Sequence, residues 1–334
     1  MRTWLSGPQS RLRVEDASHV GECRRSALRL AESHGFAETL AGRVGIVATE
    51  MANNLIRHAG RGELLLQALH DGAEVTVELV AIDRGPGMNV DVCMRDGYST
   101  VGTPGTGLGA ISRLSTLFDF YSLIDRGTVL VSRIANQARA GSPQFGAICL
   151  AVAGEIECGD TWRIAERSDA MAILVADGLG HGALAATASR AAAAAFIERP
   201  FESPSEIMQR LHNALSGGRG AAAACAAVNP ESGRVTYAGI GNIAGCVLTA
   251  ERSRGMVSHN GILGVQVLRR QEFEYDLPKA SRVVMHSDGM SARWSIDSYP
   301  GLAARHAAVI AAVLYRDHGR ERDDVTVVVT GHRS

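Results

Sequence analysis

Apolar runs in this chain repeatedly stop at an aspartate followed within two residues by glycine. The run 75–82 leads into Asp83-Arg84-Gly85, 171–176 into Asp177-Gly178, and 282–286 into Ser287-Asp288-Gly289. Short apolar runs bounded by turn residues form strands. A strand that ends on Asp and Gly delivers a carboxylate to the end of a sheet, and the glycine lets backbone turn or approach a ligand closely. One such aspartate most often only caps a turn. Their recurrence in order constrains the chain to a sheet-based α+β fold with its polar chemistry gathered at strand ends.

The 334 residues exceed what one core comfortably fills, and about 150 residues per domain suggests two. Net charge is -1, from 34 basic against 35 acidic residues, and aromatics are 5%. That balance provides neither a phosphate-neutralising surface nor a base-stacking platform, so no nucleic-acid partner is expected. No stretch approaches the roughly 18 apolar residues of a membrane span and residues 1–10 lack a signal pattern, so the expected location is cytoplasmic, with no membrane partner. Six scattered cysteines form no C-x-x-C pair and read as reduced and mostly buried.

Helical periodicity is expected over 18–33 and 38–58, strands over 63–69 and 75–82, a short helical interlude over 90–95, a helix over 108–118, and strands over 120–123 and 128–134. Polar and small residues then mark a linker over 137–145, dividing a domain of residues 1–136 from one of 146–334. In the second, strands recur at 147–153, 171–176, 234–238, 245–248, 282–286 and 325–330, with helices near 183–197, 205–215 and 301–315. The alanine-rich run 221–228 is too short for a helix between Gly220 and Asn229-Pro230 and reads as a buried strand.

Glu50 and Asn54 are four apart and share a helical face that His58 continues. A carboxylate there suits a general base, and an amide oxygen suits Mg²⁺ bound together with phosphates. A merely polar outer face is the plainer alternative. Downstream, Asp83 can accept a hydrogen bond from an exocyclic amine, with Gly85 and Gly87 beside it. Gly105-Thr106-Gly107-Leu108-Gly109 opens a helix whose free N–H groups suit phosphate. Walker and Rossmann patterns are absent.

In this order, E-x-x-x-N, D-x-G-x-G and G-x-G-x-G resemble the N, G1 and G2 boxes of the GHKL ATPase and kinase superfamily. Thr49-Glu50-Met51-Ala52-Asn53-Asn54 and Asp96-Gly97-Tyr98-Ser99 look most like RsbT-like and anti-sigma-factor serine/threonine kinases. The resemblance implies a Bergerat-type α/β sandwich that binds ATP with Mg²⁺. It makes Glu50 the general base, Asn54 the Mg²⁺ ligand, Asp83 the adenine anchor, Gly105, Gly107 and Gly109 the phosphate loop, and Thr128 a support for adenine recognition.

In the second half Asp160, Asp177, Asp288, and Asp323 with Asp324 lie at ends of apolar strands. Converging carboxylates repel unless a multivalent cation compensates them, and an oxygen-only set suits Mg²⁺ or Mn²⁺. Two such ions acidify a bridging water and clamp phosphoryl oxygens. The set, above all Asp177-Gly178-Leu179-Gly180-His181-Gly182 before a small-residue helix, resembles SpoIIE-type metal-dependent (PPM) phosphatases, with the compactness of RsbX-like members. That implies an αββα sandwich with Asp177 as bridging ligand beside the Gly178 carbonyl and Asp288 and Asp323 as further ligands, with Asp160 and Asp324 also in the set. His181 is open between orienting phosphate and shaping the turn, and Gly239-Ile240-Gly241-Asn242 matches a turn that supports the site.

Together the resemblances imply a bifunctional regulator, a serine/threonine kinase joined to a phosphoserine/phosphothreonine phosphatase. Its implied substrates are STAS-domain antagonists or stressosome scaffolds of a sigma-factor pathway. The alternative is an ATP-binding partner switch without kinase activity that controls a working phosphatase.

Overall fold

The structure is a computed structural model that describes residues 1–72, 74–88, 107–137, 143–267 and 271–331. It divides into two compact units, Gln9–Pro143 and, second, Gln144–Ser334 together with Met1–Pro8. The first strand, β1 (Arg2–Ser6), thus departs from the first domain expected by sequence. Its edge pairs antiparallel with β8 (Asp160–Glu166), Thr3 opposite Ala165.

The first unit is a sheet with helices over one face. Its strands are β2 (Ser10–Val14), β3 (Gly62–Asp71), β4 (Glu74–Ile82), β5 (Leu117–Leu123) and β6 (Gly127–Ala135), in antiparallel order β2-β3-β4-β6-β5. Strand alternation sends Leu64, Leu66, Val77, Leu79 and Leu130 to one face. There they pack with Ala27 and Ala31 of α1 (Ala17–Ser33) and with Val44, Val47, Ala48 and Met51 of α2 (Glu38–Asn54). Asp16 caps α1 by accepting from the Ser18 N–H. On the sheet's other face Gln67, Glu78 and Arg133 are directly opposed on three adjacent strands. Arg133 and Glu78 pair at 2.6 Å, both buried, and Gln67 donates to Glu78 at 2.6 Å. Removing one member of such a pair costs about 3–5 kcal/mol because the other charge stays buried.

Two sequence expectations are corrected here. The helix expected over 38–58 ends at Asn54 and continues as a π-helical turn, Leu55–Ala59, whose i→i+5 bonding takes His58 off the Glu50–Asn54 register and leaves it exposed. The helix expected over 108–118 is α3 (Gly107–Leu114), and the chain turns at Ser115 so that Leu117 already belongs to β5. Ser115 Oγ back-bonds the Ile111 carbonyl at 2.6 Å and meets Ser132 Oγ, which ties the helix end to the sheet. The interlude expected over 90–95 lies outside the described residues.

The second unit has two sheets with helices on their outer faces. The first has strand order β1-β8-β9-β10-β11, with β9 (Met171–Gly178), β10 (Ala221–Asn229) and β11 (Arg234–Ile240). The short β14 (Ser258–His259) and β17 (Phe273–Asp276) also pair with β11, and β15 (Gly261–Ile262) pairs with β16 (Gln266–Val267) as a separate ribbon. The second sheet is built from β7 (Phe145–Leu150), β12 (Ala244–Leu248), β13 (Ser253–Met256), β18 (Arg282–His286) and β19 (Val325–Thr330). Its order is β13-β12-β18-β19-β7. Ala172, Leu174 and Ala176 of β9 join the core under α4 (Ala183–Glu198) and α5 (Pro204–Ala214), while α6 (Ala307–His318) packs on β7 and β19. Between the sheets Phe145 and Trp162 pack with ring centroids 5.4 Å apart and ring planes tilted by 60°. The alanine run is indeed strand β10, whose small side chains let α4 and α5 approach closely. The helix expected over 301–315 instead begins at Ala307, after a 3-10 turn at Leu302–Ala304, and His306 caps it.

Candidate active sites

In the first unit, Glu50 and Asn54 occupy the last turn of α2, half-buried, and face the first residue of α3. A Cβ on Gly107 would stand 3.4 Å from Glu50 Oε2 and 3.5 Å from Asn54 Oδ1, so backbone at a helix N-terminus meets both side chains. Leu108 and Gly109 follow in that first turn, while Gly105 and Thr106 lie outside the described residues.

Asp83 ends β4. Its Oδ1 accepts from the backbone N–H of Gly85 at 2.8 Å and of Thr128 at 3.1 Å, which fixes the carboxylate at the sheet's end. Thr128 Oγ1 and Ser122 Oγ are 2.9 Å apart, and Ser122 Oγ accepts from Met88 N–H. Gly87 has φ +68, and a Cβ there would run into the Leu123 carbonyl, so both the turn and the contact require glycine. Ser122, which sequence reasoning missed, couples the Gly87-Met88 segment to Thr128. Only its alternation with Tyr121 on β5 distinguishes it in sequence.

In the second unit the register of two strands creates the site. Asp160 at the start of β8 and Asp177 near the end of β9 are directly opposed Cα partners. Directly opposed like charges destabilise a sheet. Asp160 is buried, and Oδ2 accepts from Ser287 Oγ at 2.6 Å while Oδ1 has no hydrogen-bond partner among the described residues. Ser287 in turn accepts from Thr326 N–H at 2.9 Å, locking the ends of β18 and β19 together. Asn242 donates to Asp288 Oδ2 at 2.7 Å and to Asp177 Oδ2 at 3.4 Å. Asp324 accepts from the N–H groups of Val152 and Gly159, both at 2.7 Å. Asp323 is exposed and caps the Asp324 N–H. A Cβ on Gly178 would strike the Ala185 carbonyl, so that residue must be glycine for α4 to start where it does.

The electrostatics follow from this crowding. Burial, with repulsion from Asp288 and Asp323, pushes the Asp177 carboxyl up to about 7. Burial, and then Asp177 itself, drives Asp160 well above the ordinary carboxylate range, and burial raises Asp324. Among the described residues no three acidic, His or Cys side chains already converge on one point. An orphaned buried carboxylate oxygen, an opposed aspartate pair and oxygen-only donors fit a hard divalent cation. His181 pairs with Glu155 at 2.8 Å and acts electrostatically on Asp324. Arg320, missed in the sequence, donates to the Asp288 carbonyl at 3.1 Å.

The first unit is thus a kinase-like ATPase sandwich and the second a PPM-type αββα sandwich with a carboxylate centre. Residues 167–333, half of the chain, match the family model described as Stage II sporulation protein E (SpoIIE), and the chain belongs to that family. Residues 14–134 match the Histidine kinase-like ATPase domain. The chain is 29% identical over 121 residues to the serine/threonine-protein kinase RsbT of Bacillus subtilis, spanning 36% of this chain and 91% of that protein. It is 27% identical over 140 residues to the phosphoserine phosphatase RsbX of Bacillus subtilis, spanning 41% of this chain and 70% of that protein. A solved chain from "The bacterial stressosome: a modular system that has been adapted to control secondary messenger signaling" superposes with TM-score 0.51 at 29% identity, covering 55% of this chain and 97% of that one. Among the described residues no helix is long and apolar enough to cross a membrane.

Proposed function

We propose that the chain is a bifunctional signalling regulator. Its first unit phosphorylates a serine or threonine of a partner protein from ATP, and its second hydrolyses phosphoserine or phosphothreonine. The observation that carries the second activity is the opposed Asp160–Asp177 pair, with Asn242 joining Asp177 to Asp288. The similarity to RsbT supports the first.

In the kinase unit Glu50 takes the proton of the incoming hydroxyl, the Asn54 amide oxygen holds Mg²⁺, and the α3 N-terminus at Gly107-Leu108-Gly109, with Gly105 and Thr106, receives phosphate oxygens. Asp83, fixed by two backbone donors, accepts from the adenine amine, with Gly85, Gly87 and Thr128 shaping that pocket. In the phosphatase unit Asp160, Asp177, the Gly178 carbonyl, Asp288, Asp323 and Asp324 hold two Mn²⁺ or Mg²⁺ ions. When bound, the ions supply an acidified water and neutralise phosphoryl charge. Asn242 holds Asp177 and Asp288, and Ser287 holds Asp160, in the positions from which these carboxylates would bind the ions. The substrates in this reading are STAS-domain antagonists or stressosome scaffolds of a cytoplasmic sigma-factor pathway, and the similarity to a chain from a stressosome study supports the stressosome setting.

The test uses a purified STAS-domain protein and labelled ATP. Wild type transfers phosphate and Glu50→Ala does not while still binding ATP. Wild type with Mn²⁺ then releases that phosphate and Asp177→Ala does not. Transfer that survives Glu50→Ala overturns the kinase assignment, and a wild type that releases no phosphate with any divalent ion overturns the phosphatase assignment.

A further inference from the structure

Two thiols abut the carboxylate centre without any part in the chemistry above. Cys149 lies on β7 and Cys158 in the connection that enters β8, nine positions apart, with their Sγ atoms 3.7 Å from each other. Both are of intermediate exposure, whereas Cys23 and Cys225 are buried. We propose that Cys149 and Cys158 are a peroxide-responsive pair whose disulfide weakens cation binding at the adjacent carboxylates. This inference rests on reading those carboxylates as a metal centre.

The coupling is mechanical. A disulfide holds its sulfurs about 2.05 Å apart, so the pair must close by roughly 1.7 Å from its present separation. Cys149 is held in the β7–β19 ladder opposite Thr326, with residues paired on either side of it. Cys158 precedes β8 in irregular backbone, so most of the movement falls there. Its neighbour Gly159 donates its N–H to Asp324 Oδ2 at 2.7 Å and accepts from the Gly178 N–H at 3.0 Å. The next residue is Asp160, whose carbonyl already touches Cys149 Sγ at 3.6 Å. Closing the bridge therefore pulls on Asp160, on the Asp324 carboxylate and on the backbone of Gly178, three of the groups assigned to the cations.

The chemistry balances with a hydroperoxide as oxidant. One thiol sulfur attacks the distal peroxide oxygen, the O–O bond breaks, and an alcohol or water leaves as a sulfenic acid forms. The second thiol sulfur attacks the sulfenic sulfur, the S–S bond forms, and the hydroxyl departs as water with the second thiol's proton. The two sulfurs together lose two electrons and the peroxide gains them. A dithiol reductant reverses the bridge by exchange.

The experiment takes the full chain purified under reductant, divides it, and treats one half with hydrogen peroxide. A non-reducing digest is mapped by mass spectrometry, and Mn²⁺ affinity is measured by calorimetric titration. The expected result is a Cys149–Cys158 cross-linked peptide, an Mn²⁺ affinity at least tenfold weaker, and recovery of both with dithiothreitol. Cys158→Ser and Cys149→Ser keep the affinity of the reduced protein and lose the response to peroxide. The absence of the linked peptide, a linked protein with unchanged affinity, or serine variants that still respond each overturn the proposal. Reduced wild type that binds no Mn²⁺ overturns the metal-centre reading and this inference with it. Reduced wild type that binds Mn²⁺ but yields no linked peptide overturns only the inference.

Discussion

The two proposed sites differ in how their charges are satisfied. Around Asp83 and Gly107 the first combines a helix N-terminus beside Glu50 and Asn54 with an Asp83 carboxylate whose Oδ1 takes the Gly85 and Thr128 N–H groups, so its charges meet donors within the fold. Around Asp177 the second offers carboxylates that repel phosphate and one another. The first site is consistent with its own fold, whereas the second is a liability that only a cation relieves. Sites of the second kind impose on the fold a stress that is visible without ligand, here in the raised carboxyls and the orphaned Asp160 oxygen.

The largest test of that contrast is chelation. Removing divalent ions should lower phosphate release by at least about a thousandfold, because several kcal/mol of charge stabilisation is lost. Binding of ADP to the first unit, followed by a fluorescent analogue, should survive in part. Equal loss of both would erase the distinction. Next in size is Gly87→Ala, which forces a left-handed backbone onto alanine and drives its Cβ at the Leu123 carbonyl. A cost of about 2–4 kcal/mol is expected in urea titration, together with loss of nucleotide binding and intact phosphatase turnover. Smaller again is Ser287→Ala, which removes the hydroxyl that holds Asp160 Oδ2. Mn²⁺ affinity should fall by about 10–100-fold while turnover at saturating Mn²⁺ changes little. A loss that saturating metal does not restore would mean that Ser287 acts on the reaction itself.

How far each site could be read from sequence follows the same division. Glu50, Asn54 and Asp83 were legible because helical spacing and strand-end position are local, and the structure brings Glu50 and Asn54 to Gly107. The aspartates were legible as strand ends, but their pairing was not. That Asp160 faces Asp177 depends on the β8–β9 register, which the burial of both faces sets together. Asn242 was legible only as part of a turn that supports the site, while Ser287 and Arg320 reach it from separate elements whose convergence no sequence spacing encodes. The π-turn after Asn54 escaped because helical periodicity does not reveal an inserted residue. β1 escaped for a different reason, since five residues carry too little pattern to say which sheet they join.

The smallest effect is the pH dependence of the metal-free protein, and its sign discriminates. An unfolded aspartate titrates near 3.8, whereas burial and the neighbouring Asp288 and Asp323 hold Asp177 near 7 in the fold. Between those values the native state keeps a proton that the unfolded chain has lost, so stability falls as pH rises through this window. Asp160 and Asp324 shift in the same direction, chiefly by burial, and add to the slope. Chelated protein should therefore melt higher at pH 5.5 than at pH 8, with about 2–4 °C for each kcal/mol lost in a unit of this size. Asp177→Asn, which titrates nowhere in the window, should flatten the slope and melt above wild type at pH 8. Saturating Mn²⁺ should reverse the trend, because the ion competes with the same protons and binds more tightly as they leave. If chelated wild type instead gains stability toward pH 8, or if Asp177→Asn leaves the slope unchanged, the carboxylates are not under the mutual strain that separates the two units.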